Sequence, residues 1–326
     1  SINNHKVTTS FIQKLPFSKK KYQIYLPLMP IAVEQFNLSD YDIVISSESG
    51  IAKGVLTKPE TCHICYVHSP MRYLWNMYFD YLKNEKIGFF KRNFIKIYFN
   101  YLRLWDYASA ARVNYFACNS NNVRKRILKY YGREATVIYP PVDVNKFIYN
   151  DKKQDYYLVI SQLVSYKRID IAVSAFNELK KELVIIGDGP EIGRLKKIAG
   201  KNIIFLGWQP FEKIIEYYSN AKAFIFPGEE DFGITPVEAQ ASGTPVIGFG
   251  KGGLLETVVK EKTGIFFEKQ EAKDLVDAVL YFESGEIKFN HETIRENALK
   301  FKTEIFEKKF KNFVAEKYEE YEKIYL

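Results

Sequence analysis

The sequence is poor in cysteine and has no long apolar run. Its 326 residues include only three cysteines, which disfavours a disulfide framework and indicates a reducing compartment. Cys62 and Cys65 are spaced like a metal or redox pair, but they lie in the apolar run CHICYV and no second pair matches them. A buried strand is the favoured interpretation. No stretch of ~18 or more consecutive apolar residues occurs, so no membrane-spanning helix is predicted, and no secretory signal is visible.

Several nucleotide-binding signatures are missing as well. The chain has no GxxxxGK followed by Ser or Thr, and no GxGxxG after its first strand, which disfavours an NTPase or a dinucleotide-dependent enzyme. No Asp-x-Asp pair follows a strand, so nothing suggests a metal that holds a diphosphate, and we expect no metal site and no cofactor. A net charge of +8 and a pI near 9.0 suit an anionic partner. Without a recognised nucleic-acid-binding motif, we expect no nucleic acid partner.

The pattern of the chain predicts two α/β domains and a terminal helix. Length favours two domains, and hydrophobic residues at 47% can fill both cores. In the second half, strands and helices alternate strictly with short connections, which predicts a doubly wound parallel sheet. A proline pair, Pro140-Pro141, is the best linker candidate. We therefore place the first domain at 1–140, the second at 141–304, and a helix at 305–326 that returns to the first domain.

Two glutamates bracket the start of a predicted helix in the second domain. An apolar strand ends at Pro227, Glu230 lies in the loop that follows, and Glu238 falls in the first turn of a helix that begins near Thr235 and Pro236. Open α/β sheets bind ligands at this edge, beyond the carboxyl ends of the strands. Thr235-x-x-Glu238 also fits a capping box, in which the carboxylate bonds the backbone of the cap residue. Both interpretations stay open on the pair alone.

Cations and glycine-rich turns are predicted on the same edge. Lys167 and Arg168 follow one strand, a GDG turn at 187–189 follows the next, and a GKGG turn at 250–253 follows a third. Such turns can present backbone N–H groups to phosphate oxygens, although each is also an ordinary turn. A glutamate pair, a lysine and anion-binding turns together suit a ligand with hydroxyls at both ends and a diphosphate between them. A nucleotide-sugar has this description.

The first half offers a second set of polar strand ends and a basic aromatic stretch. Ser49 and Gly50 follow the run DIVIS, and the next strand leads to His68 and Arg72. A histidine at such a strand end is a candidate active-site group, with a packing role as the alternative. The stretch 83–105 mixes lysine and arginine with many aromatic residues. It is a candidate contact with a membrane surface, or a core helix with snorkelling lysines.

Several motifs, taken in order, resemble glycosyltransferase family 4. They are the pair Glu230 and Glu238, SQLVSYKRID (161–170), IGDGPE (186–191), GKGGLLETV (250–258), YPPVD (139–143) and HSPMRYLW (68–75). Within that family, the chain resembles the bacterial and archaeal mannosyltransferases of surface polysaccharide assembly. The resemblance covers nearly the whole chain.

The resemblance implies a GT-B fold, in which two Rossmann-like, doubly wound domains face each other across a cleft. The second domain would bind the donor and the first the acceptor. Family members begin with a strand and a glycine-rich loop, and nothing before Thr9 corresponds to them, so we expect the first domain to lack its N-terminal strand. The implied reaction transfers a hexose with retention at the anomeric carbon and without an essential metal. We favour mannose from GDP-mannose, and a glycan or lipid-linked saccharide as acceptor.

The resemblance also assigns roles to residues. Glu230 would hold the donor sugar, Glu238 the ribose, and Lys167 the diphosphate, while His68 would face the reacting sugar; His68, Lys167 and Glu230 are the catalytic candidates. The other donor-binding candidates are Arg168, Gly187, Gly189, Phe232, Gly233, Ile234, Gly252, Gly253 and Leu254, with the N–H groups of the last three near the diphosphate. The acceptor-side candidates are Ser49, Gly50 and Arg72.

One departure from the family motivates a second hypothesis. Gln162 stands where the family usually has arginine, and losing one charge-assisted contact costs ~1.5 to 3 kcal/mol. The alternative is a catalytically silent nucleotide-sugar-binding or scaffold subunit of a polysaccharide assembly complex. For either hypothesis we expect a cytoplasmic location, with the stretch 83–105 as the candidate contact to the inner face of the cell membrane.

Overall fold

The computed structural model describes residues 6–79, 82 and 88–325. The chain divides into two compact units: unit 1 is Ser1–Ile138 together with Phe310–Leu326, and unit 2 is Tyr139–Lys309. The division near the proline pair lies two residues before the predicted boundary at 140. The second division falls at 310 rather than 305, because one continuous helix runs through that part of the chain.

Unit 1 is built on a parallel sheet of four strands in the order β1-β2-β3-β4. The strands are β1 (Ile43–Glu48), β2 (Cys62–Val67), β3 (Tyr115–Cys118) and β4 (Thr136–Val137). The helices are α1 (Ser18–Lys21), α2 (Met29–Glu34), α3 (Phe89–Ala110) and α4 (Asn121–Tyr131). Between residues 6 and 42 the described chain contains helical turns and no strand. Every residue of β2 is buried, which explains why CHICYV is apolar except for His63.

Unit 2 is built on a parallel sheet of six strands in the order β10-β9-β8-β5-β6-β7. The strands are β5 (Tyr157–Ile160), β6 (Leu183–Ile186), β7 (Ile203–Gly207), β8 (Ala223–Phe226), β9 (Val246–Phe249) and β10 (Gly264–Phe267). The helices are α5 (Ile169–Leu179), α6 (Ile192–Ile198), α7 (Phe211–Asn220), α8 (Ile234–Ala241), α9 (Leu254–Thr257), α10 (Ala272–Glu283) and α11 (His291–Leu299). A last helix, α12 (Thr303–Tyr325), begins in unit 2 and ends in unit 1.

Successive residues of the central strands of unit 2 enter two different cores. Tyr157 and Val159 pack in a cluster with helices α5 and α10, whereas Leu158 between them packs in a cluster with helix α8. Because both faces are covered, these strands are apolar without alternation, as is typical of a doubly wound sheet. The strand order reverses between β5 and β8, which places a topological switch point at the carboxyl ends of these two strands.

Some elements are short or divided. Strand β4 contains only residues 136 and 137, and helix α6 begins at Ile192. Beyond residue 271 the chain forms three separate helices, α10, α11 and α12. Among the described residues, no helix combines the length and the apolar character needed to cross a membrane.

Candidate functional site

Lys167 and Glu230 meet at the switch point of unit 2. Lys167 lies in the loop after β5 and Glu230 in the loop after β8, and their side chains form an ion pair between Nζ and Oε1. The two side chains keep 20% and 19% of their surface exposed. Because adjacent parallel strands end at the same edge of the sheet, these two residues come together although they are 63 positions apart in the sequence. The pair is partly open to solvent, so a ligand can reach both charges.

Glycines allow the backbones of the neighbouring loops to touch. A Cβ built at Gly252 would collide with the carbonyl oxygen of Glu230, and φ at Gly252 is +66°. A Cβ at Gly187, where φ is +129°, would collide with the carbonyl oxygen of Ser161. At Gly189 the collision would be with the carbonyl oxygen of Leu163. These predicted site glycines are therefore required by close backbone approach.

The amide of Gly253 corrects one expectation. The resemblance implied that this N–H contributes to a diphosphate site, but it donates to the carbonyl oxygen of Glu230 at 2.8 Å. The bond ties the loop after β9 to the loop after β8 because Gly253 has no side chain to keep the backbones apart. Leu254 is the first residue of the single-turn helix α9, and its side chain is buried.

Glu238 is held by a tyrosine and does not form a capping box. Helix α8 begins at Ile234 after Gly233, so Thr235 is inside the helix and no side chain caps its N-terminus. The Glu238 carboxylate accepts a hydrogen bond from the Tyr218 hydroxyl at 2.9 Å. Burial raises the pKa of Glu238, and the bond from Tyr218 opposes that shift. The capping-box interpretation is wrong because the helix starts earlier than the sequence pattern indicated.

The remaining donor-side candidates differ in the exposure and in the contacts of their side chains. The Phe232 side chain is buried and packs against Tyr139 and Phe301, so only its backbone belongs to the loop surface. Gly233 adopts a φ of +87°, which turns the chain into α8, and Ile234 is 45% exposed. Arg168 pairs with Asp170, with Nε at 3.2 Å from Oδ1. Arg168 is thus paired with the first turn of α5.

In unit 1, the ends of β1 and β2 bring His68 beside Ser47. The two strands are parallel, with Glu48 opposite Val67, and Nε2 of His68 lies 2.8 Å from Oγ of Ser47. The His68 carbonyl accepts a hydrogen bond from Nδ2 of Asn119 at 2.8 Å. Burial lowers the pKa of His68, so the neutral imidazole is favoured at neutral pH. Ser47 and Asn119 were not among the predicted site residues.

The other acceptor-side candidates lie in the two loops after these strands. Ser49 is exposed and Gly50 half-buried just after β1, and a Cβ at Gly50 would meet no atom within 4 Å. Glycine is therefore not required there by space. Arg72 is half-buried in a turn, and its carbonyl oxygen accepts the N–H of Met77 at 2.8 Å.

The basic aromatic stretch is partly described. Residues 83–87 and the side chains of Phe89, Phe90 and Lys91 lie outside the described residues. Residues 89–105 belong to α3, in which Phe99 and Leu102 are buried. The same helix exposes an apolar stripe made of Phe94, Ile97, Tyr101 and Leu104. The stretch therefore has both a core face and an apolar outer face.

No metal-ligating cluster accompanies these sites in the part of the chain that the structure describes. Nowhere in it do three or more His, Cys, Asp or Glu side chains come together as a cation site. The three cysteines are buried and free, and Cys62 and Cys65 lie in β2 as predicted.

Comparison with known proteins identifies two domains along the chain. A family model described as Glycosyltransferase Family 4 matches residues 3–146, and one described as Glycosyl transferases group 1 matches residues 143–301. A glycosyltransferase of Methanocaldococcus jannaschii is 27% identical over 62% of this chain and 58% of its own length. A GDP-mannose-dependent phosphatidylinositol monomannoside mannosyltransferase of Mycobacterium tuberculosis is 28% identical over 49% of this chain and 50% of its own length.

The fold is also found in solved structures. The Anabaena protein HepE, in complex with UDP and glucose, is 16% identical with a TM-score of 0.66 and covers 96% of this chain and 84% of its own. At this identity the likeness establishes the fold, which is GT-B, with two parallel-sheet α/β domains. The chain spans about half the length of the curated relatives it matches.

Proposed function

The chain belongs to the glycosyltransferases that join a family 4 domain to a group 1 domain, and on this premise we propose a retaining hexosyltransferase. The proposed donor is GDP-mannose and the proposed acceptor a glycan or lipid-linked saccharide. The observation that carries this proposal is the partly exposed pair of Lys167 and Glu230 at the switch point of unit 2. A GDP-mannose-dependent relative supports the choice of sugar and base.

The pair supplies the two charges that the reaction needs. The bond between the anomeric carbon and the diphosphate oxygen breaks, and a bond from that carbon to an acceptor hydroxyl oxygen forms on the same face. The leaving diphosphate takes the bonding electron pair and can accept the proton of the acceptor hydroxyl. The Lys167 ammonium neutralises the diphosphate, and the Glu230 carboxylate accepts hydrogen bonds from sugar hydroxyls. We expect no requirement for a divalent metal because Lys167 supplies the positive charge.

Glu238 has a separate role in this proposal. Its carboxylate keeps a second oxygen that can accept from a ribose hydroxyl while Tyr218 donates to the first. We expect Glu238→Gln to weaken GDP binding about tenfold, with a smaller effect on the transfer rate. Titration calorimetry with GDP measures this change, and unaltered GDP affinity would remove Glu238 from the nucleotide site.

Turnover with a panel of nucleotide-sugars tests the function itself. GDP- and UDP-linked hexoses are incubated with simple glycoside acceptors, and NMR of the product reports the configuration at the anomeric carbon. We expect mannose transfer from GDP-mannose with retention, unchanged by a chelator. Transfer from a UDP-sugar alone would replace the proposed donor, while inversion would overturn the mechanism. If donors bind but are neither hydrolysed nor transferred, the chain is a silent nucleotide-sugar-binding or scaffold subunit. The intact ion pair and the family matches argue against that outcome.

The apolar stripe on α3 supports a proposed contact with an anionic membrane surface. Phe94, Ile97, Tyr101 and Leu104 are 64%, 73%, 59% and 64% exposed and follow helical spacing. Arg92 and Lys96 are exposed on the same helix, and its single carboxylate, Asp106, is buried. Exposed apolar side chains on a helix that also exposes cations suit an interface with anionic lipid.

Vesicle co-sedimentation tests this contact. The protein should pellet with vesicles of anionic phospholipid and stay in the supernatant with zwitterionic ones. Ile97→Glu should lower the bound fraction several-fold, because it places a charge in the stripe. Leu280→Glu is the control, since Leu280 is 51% exposed on α10 of unit 2. Equal binding of the two variants would refute the proposed surface.

A further inference from the structure

Unit 1 contains a cluster of charged side chains that the proposed reaction does not use. Glu48, Lys53 and Asp106 are each fully buried. Nζ of Lys53 contacts the Asp106 carboxylate and lies 3.5 Å from Oε1 of Glu48. The other Glu48 oxygen, Oε2, accepts the backbone N–H of Lys53 at 2.8 Å. One cation thus bridges two carboxylates that come from separate parts of the chain.

Asp106 receives two further donors. Nε1 of Trp75 donates to Oδ2 of Asp106 at 2.7 Å, and the Tyr131 hydroxyl donates to the same oxygen at 3.0 Å. Trp75 also stacks on Tyr130, with ring centroids 4.7 Å apart and planes at 11°. Asp106 on α3 is therefore bonded to the segment after β1, to the loop after β2 and to the end of α4.

This cluster is connected directly to both loops that hold the acceptor-side candidates. Glu48 is the last residue of β1, immediately before Ser49, and its carbonyl oxygen accepts the N–H of His68 at 2.7 Å. Trp75 lies in the loop after β2, and its backbone N–H contacts the Arg72 carbonyl oxygen at 3.3 Å. Through Glu48 and Trp75, the cluster fixes the start of one loop and the end of the other.

Stability alone does not account for such a cluster. Removing three charged groups from water is costly, and apolar side chains of similar volume often stabilise a core as well or better. Hydrogen-bonded buried charges do, however, specify one arrangement of the elements that carry them. The elements bonded here include the two loops at the carboxyl ends of β1 and β2.

We propose that Glu48, Lys53 and Asp106 form a positioning network that holds the loops 49–51 and 68–75 in the arrangement needed to bind the saccharide acceptor. The inference rests on the proposed function, since it names the part of the molecule that orders its acceptor side. The three residues do not touch the acceptor; they act through Ser49, His68 and Arg72.

Two matched single substitutions test the network. Trp75→Phe removes the indole N–H that donates to Asp106 and keeps an aromatic ring against Tyr130. Tyr131→Phe removes the hydroxyl that donates to Asp106, but Tyr131 lies on α4, which contains none of the acceptor-side candidates. Losing one hydrogen bond to a charged group corresponds to about a tenfold effect on an equilibrium. We therefore expect Trp75→Phe to raise the KM for acceptor about tenfold, and Tyr131→Phe to leave it within about twofold. The KM for donor should not change in either variant.

Hydrogen exchange gives a readout that is independent of activity. In Trp75→Phe, the amides of 49–51 and 68–75 should exchange about tenfold faster than in the parent protein, and in Tyr131→Phe they should not. Equal changes in the two variants, in exchange and in KM, would show a general structural role and overturn the proposal. If the parent protein transfers no sugar but Trp75→Phe still loosens the two loops selectively, the proposed function fails and the positioning network stands.

A third variant covers the case in which single substitutions do not fold. Glu48→Leu, Lys53→Met and Asp106→Leu together replace the cluster by apolar groups. We expect this variant to be folded, with a raised KM for acceptor and faster exchange in both loops. A folded triple variant with parental KM and parental exchange would refute the proposal.

Discussion

Each unit contains a lysine paired with carboxylate, and the two sites differ in their access to solvent. In unit 2, the Lys167 and Glu230 side chains are 20% and 19% exposed. In unit 1, the side chains of Lys53, Glu48 and Asp106 have no exposed surface. In the partly exposed pair, Lys167 can exchange Glu230 for a diphosphate, and Glu230 can exchange Lys167 for a sugar hydroxyl. In the buried cluster, no side chain can leave without stranding an unpaired charge. Burial, rather than residue type, separates a binding role from a positioning role.

The same substitution at both lysines should give the largest difference. Lys53→Met leaves two carboxylates buried without their cation and should lower the free energy of unfolding by about 3 to 5 kcal/mol. Lys167→Met breaks a partly solvated pair and should lower it by about 1 kcal/mol or less. Chemical denaturation followed by near-ultraviolet circular dichroism measures both. Equal losses would contradict the distinction between the two clusters.

Removing the exposed carboxylate should affect turnover instead of stability. Glu230→Gln keeps the shape of the side chain but loses the charge, and we expect transfer to slow by about 100- to 1,000-fold, as for other lost electrostatic groups in active sites. The unfolding midpoint should stay within a few degrees. Glu216→Gln is the matched control, because Glu216 is an exposed carboxylate of unit 2 that pairs with Lys213. Retained activity in Glu230→Gln would remove Glu230 from the site.

Two glycine substitutions compare the loops themselves. Gly252→Ala places a Cβ against the Glu230 carbonyl oxygen at a positive φ, and we expect it to slow transfer about 10- to 100-fold, in line with ~1 to 3 kcal/mol of strain. Gly50→Ala enters open space in unit 1 and should leave the unfolding midpoint unchanged. Steady-state kinetics and thermal unfolding of both variants measure the contrast. Normal transfer by Gly252→Ala would mean that the loops after β8 and β9 need not touch.

Glu283 of unit 2 is as exposed as Glu230, at 18% against 19%, and gives the smallest expected effect. Partial burial alone would raise its pKa, but hydrogen bonds from Lys181, Lys222 and Tyr157 outweigh burial and lower the pKa to about 2. Because the folded-state pKa lies below the ordinary value of 4.5, ionised Glu283 contributes its full share of the folding free energy above pH 4.5. This contribution is lost as the pH falls toward 2.

Glu283→Gln should therefore lower the free energy of unfolding by about 1 to 2 kcal/mol at pH 7. It should also flatten the loss of stability between pH 4.5 and about 2. Urea denaturation at pH 7, 4 and 3 tests both effects. An unchanged acid limb would show that Glu283 does not contribute to it.

Strand alternation is sufficient to predict the edge at which Lys167 and Glu230 meet. Parallel strands end together, so residues that follow them in sequence converge in space, whatever their separation along the chain. The start of α8 was predicted less well, because Gly233 turns the chain into the helix before the apparent cap at Thr235. Because the helix starts at Ile234, Thr235 is not its cap and no capping box forms. The Glu238 carboxylate instead accepts a hydrogen bond from Tyr218.

The buried cluster could not be predicted from the sequence. Asp106 stands in a basic helical stretch, where a lone carboxylate resembles a solvated surface charge. Its partner Lys53 is 53 residues away in the sequence and lies in a short 3₁₀ turn without any motif. Only the packing of α3 beside that turn shows that both charges are enclosed. Whether an isolated charge of this kind is buried and paired depends on tertiary contacts, which the spacing of residues in the sequence does not reveal.

Helix α12 makes unit 1 discontinuous in the chain, and this has a consequence during synthesis. Phe313 and Tyr321 are buried, the Tyr321 hydroxyl donates to the Pro59 carbonyl oxygen, and Phe310 packs on Tyr66 of β2. On the ribosome, residues 139–302 emerge before this helix, so the sheet of unit 2 can form while unit 1 still exposes the surface that α12 will cover. Of the two units, the one whose sheet is synthesised earlier is therefore the one that finishes folding later.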